Sequence, residues 1–222
     1  NSVKTAIQKI LDQKQRIDVL VNNAGWGLRG CVEDISIDEF KAQFETNFFA
    51  IIRLIQEVGP TMREKGSGTI VNISSYAGRI GFPVSSAYSS SKFAMEGLSE
   101  SLRLEMAPFG INVIIIEPGI VDTNFFKPMK IAKKSESGIA YKAITDEIIL
   151  RIMNKAKLGI HPKEVAKIIL EVVKSDKPLP RYYVGDDAAK FLEARRSKTD
   201  VEFESYIKKR YAYGNIRFWD EP

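Results

Sequence analysis

The feature of this sequence that most limits its possible folds is the alternation of short apolar, β-rich runs with longer stretches of helical periodicity. Strands are predicted at residues 17–21, 69–74, 111–117 and 181–184. Strands that alternate with helices form parallel sheets, and helices cover both faces of such sheets. We therefore predict an α/β fold in which residues 1–222 make a single domain.

Helical periodicity accounts for most of the sequence between these strands. Ser36 and Glu39 form a capping box at the start of a long helix, in which Pro60 predicts a kink because proline lacks an amide donor. His161 precedes Pro162 at the start of a later helix, so we interpret it as a boundary residue and not as a catalyst. Helices are predicted at residues 3–14, 36–64, 87–106, 139–157, 163–174, 186–195 and 200–210.

The composition argues against several kinds of site. The chain has one cysteine, Cys31, and one histidine, His161. We therefore expect no internal disulfide, no metal site of the Cys/His type and no Ser-His-Asp hydrolase. No apolar run is long enough to cross a bilayer and no signal peptide is visible, so we predict a soluble, cytoplasmic protein.

The net charge of +5 is concentrated in residues 126–222. The cations there alternate with acidic and apolar residues, as in residues 163–169. This pattern is typical of an amphipathic helix with a solvated face. We predict no nucleic-acid partner.

Polar residues follow each predicted strand, and these positions are where parallel sheets bind ligands. Asn-Asn-Ala-Gly follows the first strand, Ser74-Ser75 the second and Pro118-Gly119 the third. Tyr88 and Lys92 are four residues apart, which puts both on one face of a helix. An ammonium beside a phenol is expected to lower the phenol pKa, and such a tyrosine can exchange a proton with an alcohol or a carbonyl.

The Tyr-x-x-x-Lys pair alone carries little weight, but its combination with the other motifs is specific. Together they resemble the short-chain dehydrogenase/reductase (SDR) family, over residues 1–125 in detail and over the remainder in outline. Glu117-Pro118-Gly119 and residues 181–185 are similar to hydroxysteroid and retinol dehydrogenase members of it. The stretches that carry the family resemblance are Asn22-Asn23-Ala24-Gly25, Asn47 in Glu-Thr-Asn-Phe-Phe-Ala, residues 70–75, residues 88–94 and residues 117–123.

The resemblance implies a Rossmann-like, doubly wound parallel sheet and an oxidoreductase that uses NAD or NADP. It implies oxidation of an alcohol or reduction of a ketone or aldehyde, with Tyr88 as the general acid/base. By the same likeness, Ser75 stabilises the substrate oxygen, with Ser74 as the weaker candidate. Lys92 lowers the Tyr88 pKa and holds the nicotinamide ribose, and Asn47 keeps a water in the proton relay.

The resemblance also implies a cofactor site at the ends of the strands. Asn23 would line the adenosine side, Val121 would contact the nicotinamide region, and Thr123 would bind the carboxamide. The choice between NAD and NADP stays open. The implied cofactor-binding residues are Asn23, Ala24, Gly25, Tyr88, Lys92, Pro118, Gly119, Val121 and Thr123.

The sequence departs from the family at its start. Members of the family open with a strand, a Gly-x-x-x-Gly-x-Gly turn and a helix, and this chain shows none of these. Gly25, Gly27 and Gly30 have a similar spacing, but no helix follows them, so we reject them as a phosphate loop. We expect a chain that is truncated at its N-terminus, binds NAD(P) poorly on its own and exposes a sheet edge.

Residues 122–160 correspond to the substrate lid of the family. Phe125, Phe126, Met129 and Ile131 suggest a lipophilic small-molecule alcohol or ketone. An anionic substrate stays open because the same segment carries four cations, namely Lys127, Lys130, Lys133 and Lys134.

Three functional classes remain at this point. We favour an active oxidoreductase, and the alternatives are a non-catalytic relative that senses or scaffolds and a fragment without activity. The resemblance implies a homodimer or homotetramer that pairs helices 36–64 and 87–106.

Overall fold

The computed structural model describes residues 2–137 and 140–211. Its centre is a sheet of four strands, and every neighbouring pair in it is parallel. The strands lie in the order β1–β3–β4–β6, and each predicted strand is found within two residues of its expected bounds. They are β1 (Val19–Asn22), β3 (Gly68–Ile73), β4 (Ile111–Pro118) and β6 (Arg181–Val184).

Two further strands of two residues each, β2 (Leu28–Arg29) and β5 (Lys130–Ile131), form a small parallel pair away from this sheet. None of the helices within the described ranges is long and apolar enough to span a membrane. The helices are α1 (Ser2–Lys14), α2 (Ile37–Phe44), α3 (Ala50–Lys65), α4 (Ser86–Met106), α5 (Lys133–Ser137), α6 (Lys142–Ala156), α7 (Pro162–Lys174), α8 (Asp186–Ser197) and α9 (Asp200–Arg210).

Side chains that alternate along the strands build a core on each face of the sheet. Ile70 and Val113 point to one face, where they pack with α1, α3 and α4. Val71 and Ile114 point to the other face, where they pack with α7. The predicted α/β fold with helices on both faces is confirmed.

The predicted helix over 36–64 is wrong as a single element. The capping box of Ser36 and Glu39 is present, but α2 ends at Phe44, and a π-helical turn over Glu45–Phe49 separates it from α3. Helix α3 then continues through Pro60 to Lys65. Periodicity could not reveal the π turn because one extra residue within a turn leaves the apolar pattern on either side intact.

The segment predicted to be the substrate lid is attached to the loop that follows β1. Strand β5 pairs with β2, and the amides of Lys130 and Ala132 donate to the carbonyl oxygens of Gly27 and Arg29. Gly30 is needed here, since a Cβ atom on it would lie 2.8 Å from the Cβ of Ala132. The helix predicted at residues 139–157 begins at Lys142 in the structure. Residue 139, where the prediction begins, lies outside the described part.

Strand β1 forms one edge of the four-stranded sheet, in agreement with the expected exposed edge. Val21 on this strand is 40% exposed. The single domain predicted over 1–222 includes residues 1, 138–139 and 212–222, which lie outside the described part.

Candidate active site

The carboxyl ends of β1, β3 and β4 meet at one edge of the sheet, where they border a cavity of about 470 Å³. This size suits a small-molecule site. Ser75, Tyr88 and Lys92 all line it, as does Ser74. Ala24 and Asn47 are not part of its wall. The other predicted cofactor residues that line the cavity are Asn23, Gly25, Pro118, Gly119, Val121 and Thr123.

Ser75 and Tyr88 both line this cavity, and the Ser75 side chain is among the groups that lower the Tyr88 pKa in part. Ser75 caps the short 3-10 turn that follows β3, and its Oγ accepts from the amide of Ala77 at 3.2 Å. Tyr88 lies in the first turn of α4 and is 9% exposed. Two hydroxyls at one point of the wall can bind the oxygen of an alcohol or a carbonyl together.

Lys92 follows Tyr88 by one helical turn, and its Nζ lies 5.9 Å from the centroid of the Tyr88 ring. The ammonium donates to the carbonyl oxygen of Ile73 at 2.7 Å. Burial lowers the pKa of Lys92 to about 8, and the carboxylate of Glu96 offsets part of this effect. Lys92 is thus a buried cation at the cavity wall.

The predicted direction of the Tyr88 pKa shift is wrong for this structure. Burial raises the pKa of Tyr88, while the charge of Arg29 and the hydrogen bond from Ser75 lower it in part. Burial removes water from the phenolate, and this cost exceeds the attraction of the nearby cations. The ammonium of Lys92 is held at the carbonyl oxygen of Ile73, 5.9 Å from the centroid of the Tyr88 ring.

Asn47 lies in the π turn and is fully buried behind the cavity wall. Its Oδ1 accepts from the amide of Trp26, and its Nδ2 donates to the Trp26 carbonyl and to Ser91 Oγ, at 3.1 to 3.2 Å. Gln43 holds the same loop through the amide of Leu28 and the carbonyl of Trp26. The two amides fix the loop that follows β1. Gly25 is packed closely against the Asn47 amide, because a Cβ on Gly25 would lie 3.2 Å from Asn47 Oδ1.

One side of the cavity is apolar. Phe125 packs edge-on against Tyr88 at 5.9 Å between ring centroids. Of the four lid residues predicted to make an apolar pocket, Phe125 and Phe126 line the cavity, whereas Met129 and Ile131 do not. Side chains from outside the predicted set complete this side, namely Tyr76, Phe82, Ile148, Ile152 and Tyr211.

The cations that line the cavity differ from those considered in the sequence. None of the four lysines of the predicted lid is part of the wall, and among the described residues its cations are Lys92 and Arg29. Arg29 was missed because the sequence shows only an arginine in a short apolar run. A charged residue in such a run is a signal that could have been used.

A buried group of charges behind Lys92 was also missed. Glu96 and Glu117 are 4% and 3% exposed, and Arg181 bonds to Glu96 Oε2 at 2.9 Å and lies 3.4 Å from Glu117 Oε1. Burial raises the pKa of Glu117 to about 7, and the nearby Glu96 carboxylate adds to the rise. The signal available in the sequence was Glu96, one turn beyond Lys92.

Parallel strands, helices on both faces and a ligand-sized cavity at the carboxyl edge define an α/β protein with a Rossmann-like sheet. Comparison with known proteins gives the family: residues 1–134 match the family described as short chain dehydrogenase, and the chain belongs to this family of oxidoreductases.

Individual relatives support this assignment. The chain is 36% identical over 184 residues to a 3-ketodihydrosphingosine reductase of Bacteroides thetaiotaomicron, a match that covers 83% of this chain and 68% of the relative. A short-chain dehydrogenase structure from Streptomyces avermitilis superimposes with a TM-score of 0.78 at 33% identity, covering 96% of this chain and 76% of that one. The structure of ElxO with NADP bound gives a TM-score of 0.67 at 28% identity, covering 85% and 73%.

Proposed function

We propose that this protein transfers a hydride between NAD or NADP and a lipophilic alcohol or ketone or aldehyde, with Tyr88 as the general acid/base. The observation that carries the proposal is that Ser75 and Tyr88 lie on the wall of one partly apolar cavity, with the ammonium of Lys92 5.9 Å from the centroid of the Tyr88 ring. These groups can hold an oxygen and move a proton to or from it.

In this mechanism Ser75 and Tyr88 donate hydrogen bonds to the carbonyl oxygen of the substrate. During reduction Tyr88 gives its proton to the developing alkoxide, and the Ser75 hydroxyl stabilises the charge on the same oxygen. A buried tyrosine with a raised pKa holds its proton at neutral pH, which suits it to the role of acid in reduction. Lys92 provides a positive charge behind the phenolate that remains.

The residues present fit a nicotinamide cofactor along the other side of the cavity. Gly25 and Gly119 line the wall at positions where a Cβ would meet Asn47 Oδ1 at 3.2 Å and Asp187 Oδ1 at 1.9 Å, and the side chains of Asn23 and Thr123 offer polar groups there. When bound, the cofactor supplies or accepts the hydride, and Lys92 would hold its ribose hydroxyls. The related ElxO structure carries NADP. The roles of Asn47 in a proton relay and of Val121 beside the nicotinamide belong to the same proposal.

The proposed substrate class rests on the apolar side of the cavity. Phe125, Phe126 and Ile148 offer a surface for a hydrocarbon group next to the Ser75–Tyr88 pair. The name of the reductase from Bacteroides thetaiotaomicron, which reduces 3-ketodihydrosphingosine, is in line with a lipophilic ketone. A cytoplasmic location, a homodimer or homotetramer and a lid over 122–160 stay predictions.

The test is turnover of an aliphatic ketone with NADH or NADPH, followed by the loss of nicotinamide absorbance. Tyr88→Phe deletes one hydroxyl, and we expect kcat to fall by about 10²- to 10⁴-fold, the usual contribution of a general acid. Tyr183→Phe is the matched control, since Tyr183 on β6 is 62% exposed and its loss should leave kcat unchanged. Equal activity of Tyr88→Phe and wild type would refute the mechanism.

A second measurement separates this proposal from that of a non-catalytic relative or fragment. NADPH fluorescence should change on addition of the protein, and Lys92→Met should weaken the binding because it removes the cation of the cavity wall near the ribose. A protein that binds neither NADH nor NADPH would favour the inactive alternatives.

A further inference from the structure

Arg29 is placed deep in the candidate active site. It ends strand β2, and its carbonyl oxygen accepts from the amide of Ala132 in the lid at 2.8 Å. Its side chain lines the cavity although the residue is only 5% exposed. The guanidinium carbon lies 5.0 Å from the ring centroid of Tyr88. A buried cation therefore lies against the residue proposed to move the proton.

This cation has no counterion within residues 2–137 and 140–211. No carboxylate there forms an ion pair with Arg29. Its Nη1 donates to the carbonyl oxygen of Leu28 at 3.3 Å, and its Nε is buried without a hydrogen-bond partner. The groups that act on it electrostatically are the phenols of Tyr76, Tyr88 and Tyr211.

An arrangement of this kind costs stability. A buried charge that lacks an ionic partner pays a desolvation penalty that hydrogen bonds to neutral groups offset only in part. The same burial lowers the pKa of Arg29. An anion in the cavity would supply the missing charge beside the guanidinium, which lines the wall. A carboxylate fits best, because its two oxygens match the planar fork of a guanidinium.

We infer that Arg29 binds a carboxylate of the substrate, so that the substrate is a hydrophobic hydroxy acid or keto acid and not a neutral alcohol or ketone. The inference rests on the proposed function for the position of the reacting oxygen at Ser75 and Tyr88. Because the guanidinium lies against the Tyr88 ring, the carboxylate is close in the molecule to the reacting carbon. The rest of the chain of the substrate then packs against Phe125 and Ile148.

The test compares binding of two probes that differ only in charge, 3-hydroxyoctanoate and 3-hydroxyoctanamide, by isothermal titration calorimetry without cofactor. We expect the acid to bind the wild type about ten- to hundredfold more tightly than the amide, the range for hydrogen bonds to charged groups. Arg29→Met should remove this preference without weakening the amide. Lys127→Met is the matched control, because Lys127 is an exposed lid cation that does not line the cavity, and it should keep the preference.

Arg29→Lys provides a second variant should the methionine variant not fold. It keeps the charge but loses the fork, so we expect an acid preference between those of wild type and Arg29→Met. Equal binding of acid and amide by the wild type would overturn the inference. So would an acid preference that survives in folded Arg29→Met, or one that Lys127→Met abolishes.

Failure of this inference can be told apart from failure of the proposed function. Tyr88→Phe should lose turnover and yet keep the acid preference, because it leaves Arg29 in place. Turnover of neutral ketones together with equal binding of the two probes would refute the carboxylate site alone. An acid preference that depends on Arg29 in a protein without any dehydrogenase activity would refute the proposed function alone.

Discussion

The ammonium of Lys92 donates a hydrogen bond of 2.7 Å to the carbonyl oxygen of Ile73, the last residue of β3. The chain reaches Ser75 two residues later. The hydrogen bond therefore connects α4, which carries Tyr88, to strand β3, which leads into Ser75. A lysine that the sequence suggests as a modifier of the tyrosine pKa is thus also a link between helix and sheet.

The buried ammonium should make stability depend on pH. The pKa of Lys92 is lowered to about 8 in the folded protein from an unfolded value near 10.5, so its contribution is present above pH 10.5 and is lost as the pH falls through 8. Lys92→Met removes the buried charge. We expect the melting temperature of the variant, relative to wild type, to be higher at pH 7 than at pH 10. A difference that does not vary with pH would contradict the lowered pKa.

Glu117 should produce the opposite dependence. Its pKa is raised to about 7 from 4.5, so the stability it contributes is fully present below pH 4.5 and is lost as the pH rises through 7. Glu117→Gln removes this ionisation. The melting temperature of the variant minus that of wild type should therefore increase between pH 5 and pH 8. Glu105→Gln, at an exposed position of α4, should show no such trend.

Arg29 should lower the stability of the free protein. This buried cation forms no ion pair with the residues that the structure describes. Replacing it with methionine keeps an apolar side chain of similar length, and we expect the free energy of unfolding to rise by about 1 kcal/mol or more. Urea denaturation of the two proteins measures the change. Arg63→Met is the control, since Arg63 is exposed above the ring of Phe109, and its change should stay within about 0.5 kcal/mol. A marked loss of stability in Arg29→Met would show that Arg29 is a structural residue.

Gly119 should not tolerate a side chain. A Cβ there would lie 1.9 Å from Asp187 Oδ1, while Oδ2 of the same carboxylate accepts from the amide of Ile120 at 2.8 Å. In Gly119→Ala the carboxylate must move and lose this bond, which should cost about 1 to 3 kcal/mol. Gly97→Ala is the matched control, because nothing lies within 4 Å of its Cβ position, and alanine should stabilise α4 by about 0.5 to 1 kcal/mol. Thermal unfolding of both variants tests the contrast.

The sequence predicts most of the strands and helices because apolar residues recur at every second position in a strand and about every 3.6 positions in a helix. Helix α9 and strand β6 are found at their predicted bounds. The π turn could not be predicted, because Asn47 holds it through hydrogen bonds to Trp26, 21 residues earlier in the chain. Strands β2 and β5 are too short to show any periodicity.

In the candidate site, likewise, the identity of the residues could be predicted from local motifs, but their contacts with distant parts of the chain could not. Ser75, Tyr88 and Lys92 were predicted because their motifs together resemble those of the short-chain dehydrogenase/reductase family, and the structure places all three on the wall of one cavity. The environment of each group was not recognisable. The bond from Lys92 to Ile73 and the burial of Arg29 against the Tyr88 ring depend on contacts between distant segments of the chain. The predicted direction of the Tyr88 pKa shift was wrong for this reason.

The π turn between α2 and α3 makes the length of this segment matter as much as its composition. Each residue of an α-helix turns the chain by about 100°. Deleting one residue from Glu45–Phe49 would therefore rotate one flanking helix against the other. Either Gln43 would leave the loop amide of Leu28, or Ile51 would turn away from the sheet. We expect insertions and deletions here to be far less tolerated than substitutions, so that related chains differ in sequence but keep the same number of residues.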